Sequence, residues 1–340
     1  MVNMKTILVP GGAGFIGSHT VSALLAQGYH TVTLDNFSNG HRDAVVGGDI
    51  IEGDIRDAEL LAKIFSDRAI DAVIHFAAFI EAGESVVDPL KFYDNNTSGS
   101  LTLIRAMTNA GVQNIVFSST AAVYGQMEEA TSLSEDMPKA PINPYGQSKW
   151  AVECMLRDTA TTGALKAVAL RYFNAAGADP FGKLGERHDP ETHLIPLILQ
   201  AASGQRDNIK MFGTDYATPD GTCVRDYSHV CDLADAHVKA LSHLLALPET
   251  GSGEAAGFYD AFNLGTGTGF SVREVIESAK RVTGTNFTVV EEGRRAGDPA
   301  QLVANPAKAQ KTFNWQPAYP NLDDMVAHAW QFMQKNAANT

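Results

Sequence analysis

The chain has 340 residues, 44% of them apolar and 19% charged, an ordinary composition for a soluble globular protein with ample length for a packed core. Its 26 Lys and Arg against 39 Asp and Glu give a net charge of −13, which argues against nucleic acid or an anionic membrane as a partner while leaving room for a local basic pocket that takes a small phosphate ligand. No stretch approaches the ~18 apolar residues of a membrane span, and the three cysteines, Cys154, Cys223 and Cys231, lack metal-ligand spacing, which points to a reducing, cytoplasmic compartment.

Thr6–Pro10 is a short apolar run ended by Gly11-Gly12, too brief for a secretory leader. Ser18–Gln27 reads as a helix stopped by Gly28, and Thr31–Leu34 as a second strand closed by Asp35. Asp57 is placed to cap a helix over Ala58–Asp67. Asp71–Ala78 reads as a buried strand, Leu101–Ala110 as a helix ended by Gly111, and Asn114–Ser119 and Lys166–Phe173 as two further strands. Continuous apolar strands alternating with helices predict an α/β fold, a doubly wound parallel sheet of Rossmann type covered on both faces. After about Asn174 the texture changes: Gly, Pro and Asp crowd Gly177–Pro190, and helices are expected at Asp232–Leu247, Ser271–Val282 and Leu322–Met333. This half reads as a smaller mixed α/β domain that supplies loops to a cleft. The division is therefore 1–174 and 175–340, with about 225–265 returning to pack on the first part.

Gly11-Gly12-Ala13-Gly14-Phe15-Ile16-Gly17 lies between a predicted strand and a predicted helix, and fits both G-x-x-G-x-x-G and G-x-G-x-x-G. Glycines at Gly11, Gly14 and Gly17 allow a tight turn and a close approach of backbone to a pyrophosphate, whose charge sits on the helix N-terminus. Asp35 ends the next strand, where a carboxylate accepts hydrogen bonds from ribose hydroxyls and repels a 2′-phosphate. The expected cofactor is therefore NAD rather than NADP. Asp54-Ile55 falls near the adenine edge, although Asp54 reads equally well as an ordinary loop acid.

Tyr145-Gly146-Gln147-Ser148-Lys149 is a Y-x-x-x-K spacing behind Pro144, a helix-start residue. Positions i and i+4 share a helix face, so the spacing predicts an ammonium beside the phenol, lowering its pKa toward neutrality and making Tyr145 a general base for a hydroxyl proton. The run Ile115–Thr120 ends in hydroxyls at the carboxyl end of a strand. Thr120 is expected to bond a substrate oxygen and relay its proton, and Ser118 to cap the strand end. His188 and His193 are flanked by Asp189 and Glu191, but further convergent ligands are lacking in the sequence, so no metal site is expected there.

Taken together, these residues resemble the extended short-chain dehydrogenase/reductase superfamily and, within it, the UDP-glucose 4-epimerase family. The resemblance runs nearly end to end, through Gly11–Thr20, Gly53–Asp57, His75–Ala78, Tyr93–Asn96, Ser118–Gly125, Pro144–Lys149, Arg171–Asn174, Val224–Val230 and Arg295–Asp298. It implies tightly held NAD, a UDP-sugar substrate, a homodimer, and inversion at the sugar C4 through a 4-keto intermediate, with Tyr145, Lys149 and Thr120 catalytic. By position it places Phe15, Ile16, Asp35, Asn36, Asp54, Ile55, Phe76, Ala77, Ala78, Asn95, Lys149 and Phe173 around the cofactor. It places Asn174, His193, Phe212, Arg225, Arg295 and Asp298 around the UDP-sugar. Guanidinium forks at Arg225 and Arg295 suit a diphosphate. The chain departs from the family pattern at Pro10, where Thr is usual, at Ile80, where Lys is frequent, and at His193, where Asn is frequent. Leu302, of intermediate size, stands at the position discussed as the gate for N-acetylated sugars. Thr120 is followed by Ala121-Ala122 rather than by an acid, which disfavours a dehydratase or decarboxylase. Epimerases of UDP-N-acetylglucosamine, UDP-xylose or UDP-glucuronate stay open, and a non-enzymatic NAD sensor would not need all three catalytic residues.

Overall fold

A computed structural model describes residues 4–126, 132–249, 257–295 and 298–338. Its strands, in chain order, begin with β1 (Thr6–Pro10), β2 (His30–Asp35), β3 (Asp49–Glu52), β4 (Ile70–His75), β5 (Asn114–Thr120) and β6 (Lys166–Tyr172). They continue with β7 (Asn174–Ala176), β8 (Asn208–Phe212), β9 (Val224–His229), β10 (Phe258–Leu264), β11 (Gly269–Ser271), β12 (Thr288–Glu292) and β13 (Gln301–Leu302). Seven of them make one sheet in the order β10-β6-β5-β4-β1-β2-β3, every neighbouring pair parallel.

The helices that matter for the site are α1 (Phe15–Ala26), α2 (Ala58–Asp67), α3 (Gly99–Asn109), α4 (Pro144–Thr161), α5 (Leu194–Ala202) and α6 (Val230–Ala246). The β1 side chains alternate between two cores. Leu8 joins Val32, Leu103, Met107, Val152 and Leu156 on one face, while Ile7 and Val9 join Val21, Leu24, Leu233, Leu241, Leu244 and Trp315 on the other. Helices α2, α3 and α4 therefore cover one face, and α1 and α6 the opposite one. Such two-sided cover explains why the strands are apolar throughout. A third core (Ile195, Ile198, Ile209, Met211, Val275, Ile276, Met325 among others) holds the smaller layer together.

Local signals place several boundaries as read. The Asp57 side chain accepts from the Leu60 N–H at 2.9 Å and caps α2. Pro144 opens α4, with the Asn143 side chain accepting from Gly146 N–H at 2.8 Å. Others shift. Helix α1 starts at Phe15 rather than Ser18, because the glycine loop turns directly into it. The strand expected over Asp71–Ala78 stops at His75, and Phe76, Ala77 and Ala78 leave the sheet to line a cavity. The Leu101–Ala110 helix is longer than its periodicity, since Gly99 continues without a break from a wider π turn over Tyr93–Ser98.

Two later elements return to the sheet. Helix α6 packs on α1, and β10 adds a parallel edge strand beside β6. The strand order reverses around β1, which pairs with β2 on one side and β4 on the other. Loops leaving the carboxyl ends of β1 and β4 diverge there and leave a crevice.

Candidate active site

At that crevice Gly11 adopts φ +78°, and a Cβ placed on it would lie 2.4 Å from the Ala77 nitrogen. A Cβ on Gly17 would meet the Gly11 carbonyl at 2.1 Å. Both positions are thus closed to any side chain, by left-handed backbone at the first and by backbone contact at both. Helix α1 begins at this loop with no side-chain cap and no acidic residue in its first turn. Its free N–H groups and positive dipole end suit a diphosphate.

The loop opens on a cavity of about 400 Å³. Of the residues expected around the cofactor, Gly11, Gly14, Phe15, Ile16, Gly17, Asp35 and Asn36 line it, as do Ile55, Phe76, Ala77, Ala78, Asn95, Tyr145, Lys149 and Phe173. The Asp35 carboxylate is 8% exposed. It accepts from Ala13 N–H and Phe37 N–H, both at 2.9 Å, and burial pushes its pKa up against those two bonds. The N–H groups aim the carboxylate, and a carboxylate has acceptor capacity left for two ribose hydroxyls. The fit to a dinucleotide is good at the phosphate cradle and at the ribose position.

Asp54 is the exception. It lies outside the cavity lining, with its oxygens taken by Arg56 at 2.8 and 2.9 Å and by Asn36 Nδ2 at 3.0 Å. The Arg56 hydrogen bonds pull its pKa down to about 2. Its structural work is to hold Asn36 and the β3 loop. Ile80 lines the cavity with an apolar side chain, and the Pro10 carbonyl accepts from Phe76 N–H at 2.8 Å and Ala77 N–H at 3.0 Å.

Tyr145, Lys149 and Thr120 meet in the same cavity. The Lys149 ammonium, 3% exposed, donates to the Ser118 carbonyl at 2.9 Å and sits 4.9 Å over the Phe117 ring. Burial holds its pKa down to about 7. The Tyr145 phenol sits deep in the cavity, and burial pushes its pKa up to about 12, against the pull of its hydrogen bond with the Thr120 hydroxyl. This corrects the expectation from i,i+4 spacing. The lysine charge is anchored on a carbonyl instead of lowering the phenol, and desolvation penalises the charged form of both groups. Ser118 does more than cap a strand: its side chain lines the cavity and bonds the Tyr172 hydroxyl, while its carbonyl holds Lys149.

The residues expected around the UDP-sugar divide in two. Thr120, Asn174 and His193 line the cavity, with Asn174 Nδ2 donating to the Asp226 carbonyl at 2.9 Å. Phe212, Arg225, Arg295 and Asp298 form a separate group outside that lining. There the Arg295 guanidinium lies 3.9 Å over the Phe212 ring, and Arg225 Nη2 is 3.5 Å from Asp298. Leu302 also lies outside, packed on Ala121, Val123 and Tyr124.

Lining residues that the sequence reading missed include Leu34, Ser38, Asn39, Gly40, Phe79 and Tyr172. All but Leu34 and Tyr172 follow the carboxyl ends of β2 and β4, a position that in itself signals a ligand in such sheets. Glu186 was missed as well, and His188, weighed only as a metal ligand, also lines the cavity. Glu186 is the partner that histidine spacing alone did not reveal: its Oε1 is 3.0 Å from His188 Nδ1 and 2.9 Å from His193 Nδ1. Burial works against a charge on His193, but Glu186 and Glu191 outweigh it and raise its pKa to about 10. The convergent set that the sequence lacked is thus supplied by the fold.

Residues 7–265 match the model of the NAD dependent epimerase/dehydratase family. A UDP-glucose 4-epimerase from Halalkalibacterium halodurans is 49% identical over 330 residues, covering 97% of this chain and 96% of the relative. One from Rhizobium leguminosarum bv. trifolii is 49% identical over 332 residues, 98% of each. The crystal structure of UDP-glucose 4-epimerase from Brucella ovis in complex with NAD is 49% identical with a TM-score of 0.91, covering 96% of this chain and 98% of that one. The Bifidobacterium longum enzyme in complex with NAD+ and UDP is 37% identical with a TM-score of 0.90, covering 99% of this chain and 100% of that one.

Proposed function

This chain belongs to the NAD dependent epimerase/dehydratase family, and we propose that it is an isomerase that interconverts UDP-glucose and UDP-galactose by inverting the sugar C4. The observation that carries this reading is the meeting of Tyr145, Lys149 and Thr120 in one cavity with an uncapped glycine loop and Asp35. When bound, NAD supplies reversible hydride transfer at C4, and its positive charge favours an ionised phenol. The residues of the chain do the rest. The α1 N-terminus holds the diphosphate of the cofactor, and Asp35 accepts from its ribose. Tyr145 takes the proton of the sugar 4-hydroxyl and returns it after the face exchange. Thr120, already bonded to that phenol, steers the proton. Lys149 fixes the floor of the site through the Ser118 carbonyl. Arg225 and Arg295, with Phe212 and Asp298, take the diphosphate and uridine end of the substrate, and Asn174 and His193 the part nearer the sugar. Thr120 is followed by Ala121 and Ala122, and its hydroxyl accepts from the Ala122 N–H at 3.1 Å, so a dehydratase would find no acid at that step.

In this reading residues 1–174 serve the cofactor and 175–340 the UDP-sugar, apart from about 225–265. A homodimer is supported by the apolar side chains of Val86, Val87 and Leu90, exposed together at 65%, 84% and 77%. A reducing compartment is supported by three free cysteines. No helix among the described residues is long and apolar enough to cross a membrane.

The purified chain is expected to convert UDP-galactose to UDP-glucose without added NAD, followed by separation of the two nucleotide sugars. Failure to interconvert any UDP-hexose removes the reading. Asp35→Ala is expected to weaken NAD retention and reduce discrimination against NADP by roughly tenfold to a hundredfold, the worth of a charged hydrogen bond. An unchanged NAD to NADP preference in equilibrium binding would take the role away from that carboxylate.

A further inference from the structure

From the cluster Glu186, His188, Glu191 and His193 we infer a binding site for one divalent transition-metal ion of the zinc class, set in the wall between the cofactor cavity and the solvent. It goes beyond the epimerase reading and does not depend on it. One ligand atom from each of the four side chains lies within 4.8 Å of all the others. His193 Nδ1 is 2.9 Å from Glu186 Oε1 and 3.0 Å from Glu191 Oε1, and His188 Nδ1 is 3.0 Å from Glu186 Oε1 and 3.9 Å from Glu191 Oε2. A tetrahedral zinc with bonds of about 2.0–2.1 Å has ligand-to-ligand edges of roughly 3.3 Å. The observed separations bracket that edge, so small side-chain adjustments seat the ion.

Charge points the same way. The two glutamate side chains are 8% and 6% exposed, and among the described residues neither pairs with a lysine or arginine. Two buried carboxylates need two positive charges. One divalent ion supplies both at the point where the donors converge. The donor set, two imidazoles and two carboxylates, favours zinc over magnesium or calcium, which prefer all-oxygen shells. Glu191 is already oriented, accepting from the Thr192 and His193 N–H groups at 2.7 and 2.8 Å. The imidazole rings are inclined at 45°, centroids 5.1 Å apart, rather than stacked.

The ion would pin the segment 186–193, which leads into α5 and carries Glu186, His188 and His193 into the cavity wall. Its role is to hold that wall, outside the proton and hydride chemistry.

The test uses the full chain without an affinity tag, NAD-loaded as purified, freed of metal by EDTA dialysis. Titration with ZnCl2 in a calorimeter is expected to show one equivalent per chain that survives desalting. Co2+ in its place is expected to give the visible absorption of a tetrahedral site. X-ray absorption of the zinc form should show imidazole and oxygen donors without sulfur. Glu186→Gln and His188→Ala, checked for folding by NAD content and circular dichroism, are each expected to weaken zinc by at least about tenfold to a hundredfold. Absence of a saturable equivalent on the parent chain overturns the site. So does a zinc shell without imidazole, or an equivalent that persists unchanged in both variants. Turnover enters none of these readouts, so failure here is separable from failure of the epimerase reading.

Discussion

Tyr145→Phe is expected to lower kcat by about 10²–10⁴-fold, the usual contribution of a positioned acid–base group, while NAD content and UDP binding stay as they are. The substitution removes one oxygen and little else. The ring stays in its place on α4, and Thr120 keeps its other bond, from the Ala122 N–H. The loss therefore reports the proton step. In the chain alone burial pushes the phenol up to about 12, and a positive charge entering the cavity is expected to bring it down. A tyrosine titration followed by ultraviolet difference absorption should accordingly move downward on loading with NAD+ and not with NADH. Activity of Tyr145→Phe within a few-fold of the parent would end the assignment of the base.

Glu153→Gln is the largest expected loss of stability, about 3–5 kcal/mol, the cost of leaving one member of a buried ion pair without its counter-charge. Glu153 and Arg171 are 0% and 2% exposed. Arg171 donates to Glu153 through Nε at 2.9 Å and Nη2 at 2.5 Å, and through Nη1 to the Tyr124 hydroxyl at 2.9 Å. Ser119 and Tyr259 also donate to the carboxylate. One buried network thus ties α4, β5, β6 and β10 together directly behind Thr120, Tyr145 and Lys149. Glutamine keeps the shape but removes the charge that Arg171 answers. The double variant Glu153→Met with Arg171→Met is expected to lose less than Glu153→Gln alone, because no unpaired charge stays buried. Urea unfolding at equal NAD occupancy measures both. A loss under about 1 kcal/mol for Glu153→Gln would mean that the pair is solvated and carries little of the fold.

The two expectations rest on the same helix. Tyr145, Lys149 and Glu153 are spaced four apart on α4, so one face presents the cavity phenol, the cavity-floor lysine and the anchor of the network in sequence. A shift of that helix along its axis would move all three.

Much of this molecule was legible in the chain as text, because the signals involved are local. The apolar runs at Thr6–Pro10 and Asn114–Ser119 mark strands buried on both faces, Asp57 and Pro144 mark helix starts, and the glycine series with Asp35 marks a dinucleotide loop by spacing alone. The resemblance across those stretches carried the reaction type. What lay beyond reach was set by contacts distant in the chain. A return of about 225–265 to the first part was expected, but nothing near Phe258–Leu264 says that it pairs with Lys166–Tyr172, because strand neighbours are chosen by the whole sheet. Glu186 looks like a loop acid until the fold turns it onto His188 and His193, and Asp54, read as a cofactor neighbour or a loop acid, turns out to be held by Arg56 and Asn36 beside the cavity. The phenol of Tyr145 illustrates the division best. Spacing put a lysine on the same helix face and argued for a lowered pKa, but only packing decides how much water reaches the oxygen, and there burial raises the phenol against its Thr120 bond while the lysine is turned onto the Ser118 carbonyl. Residue types and their intervals determine which chemistry is available, and the exclusion of water by distant parts of the chain decides which protonation states and partners prevail.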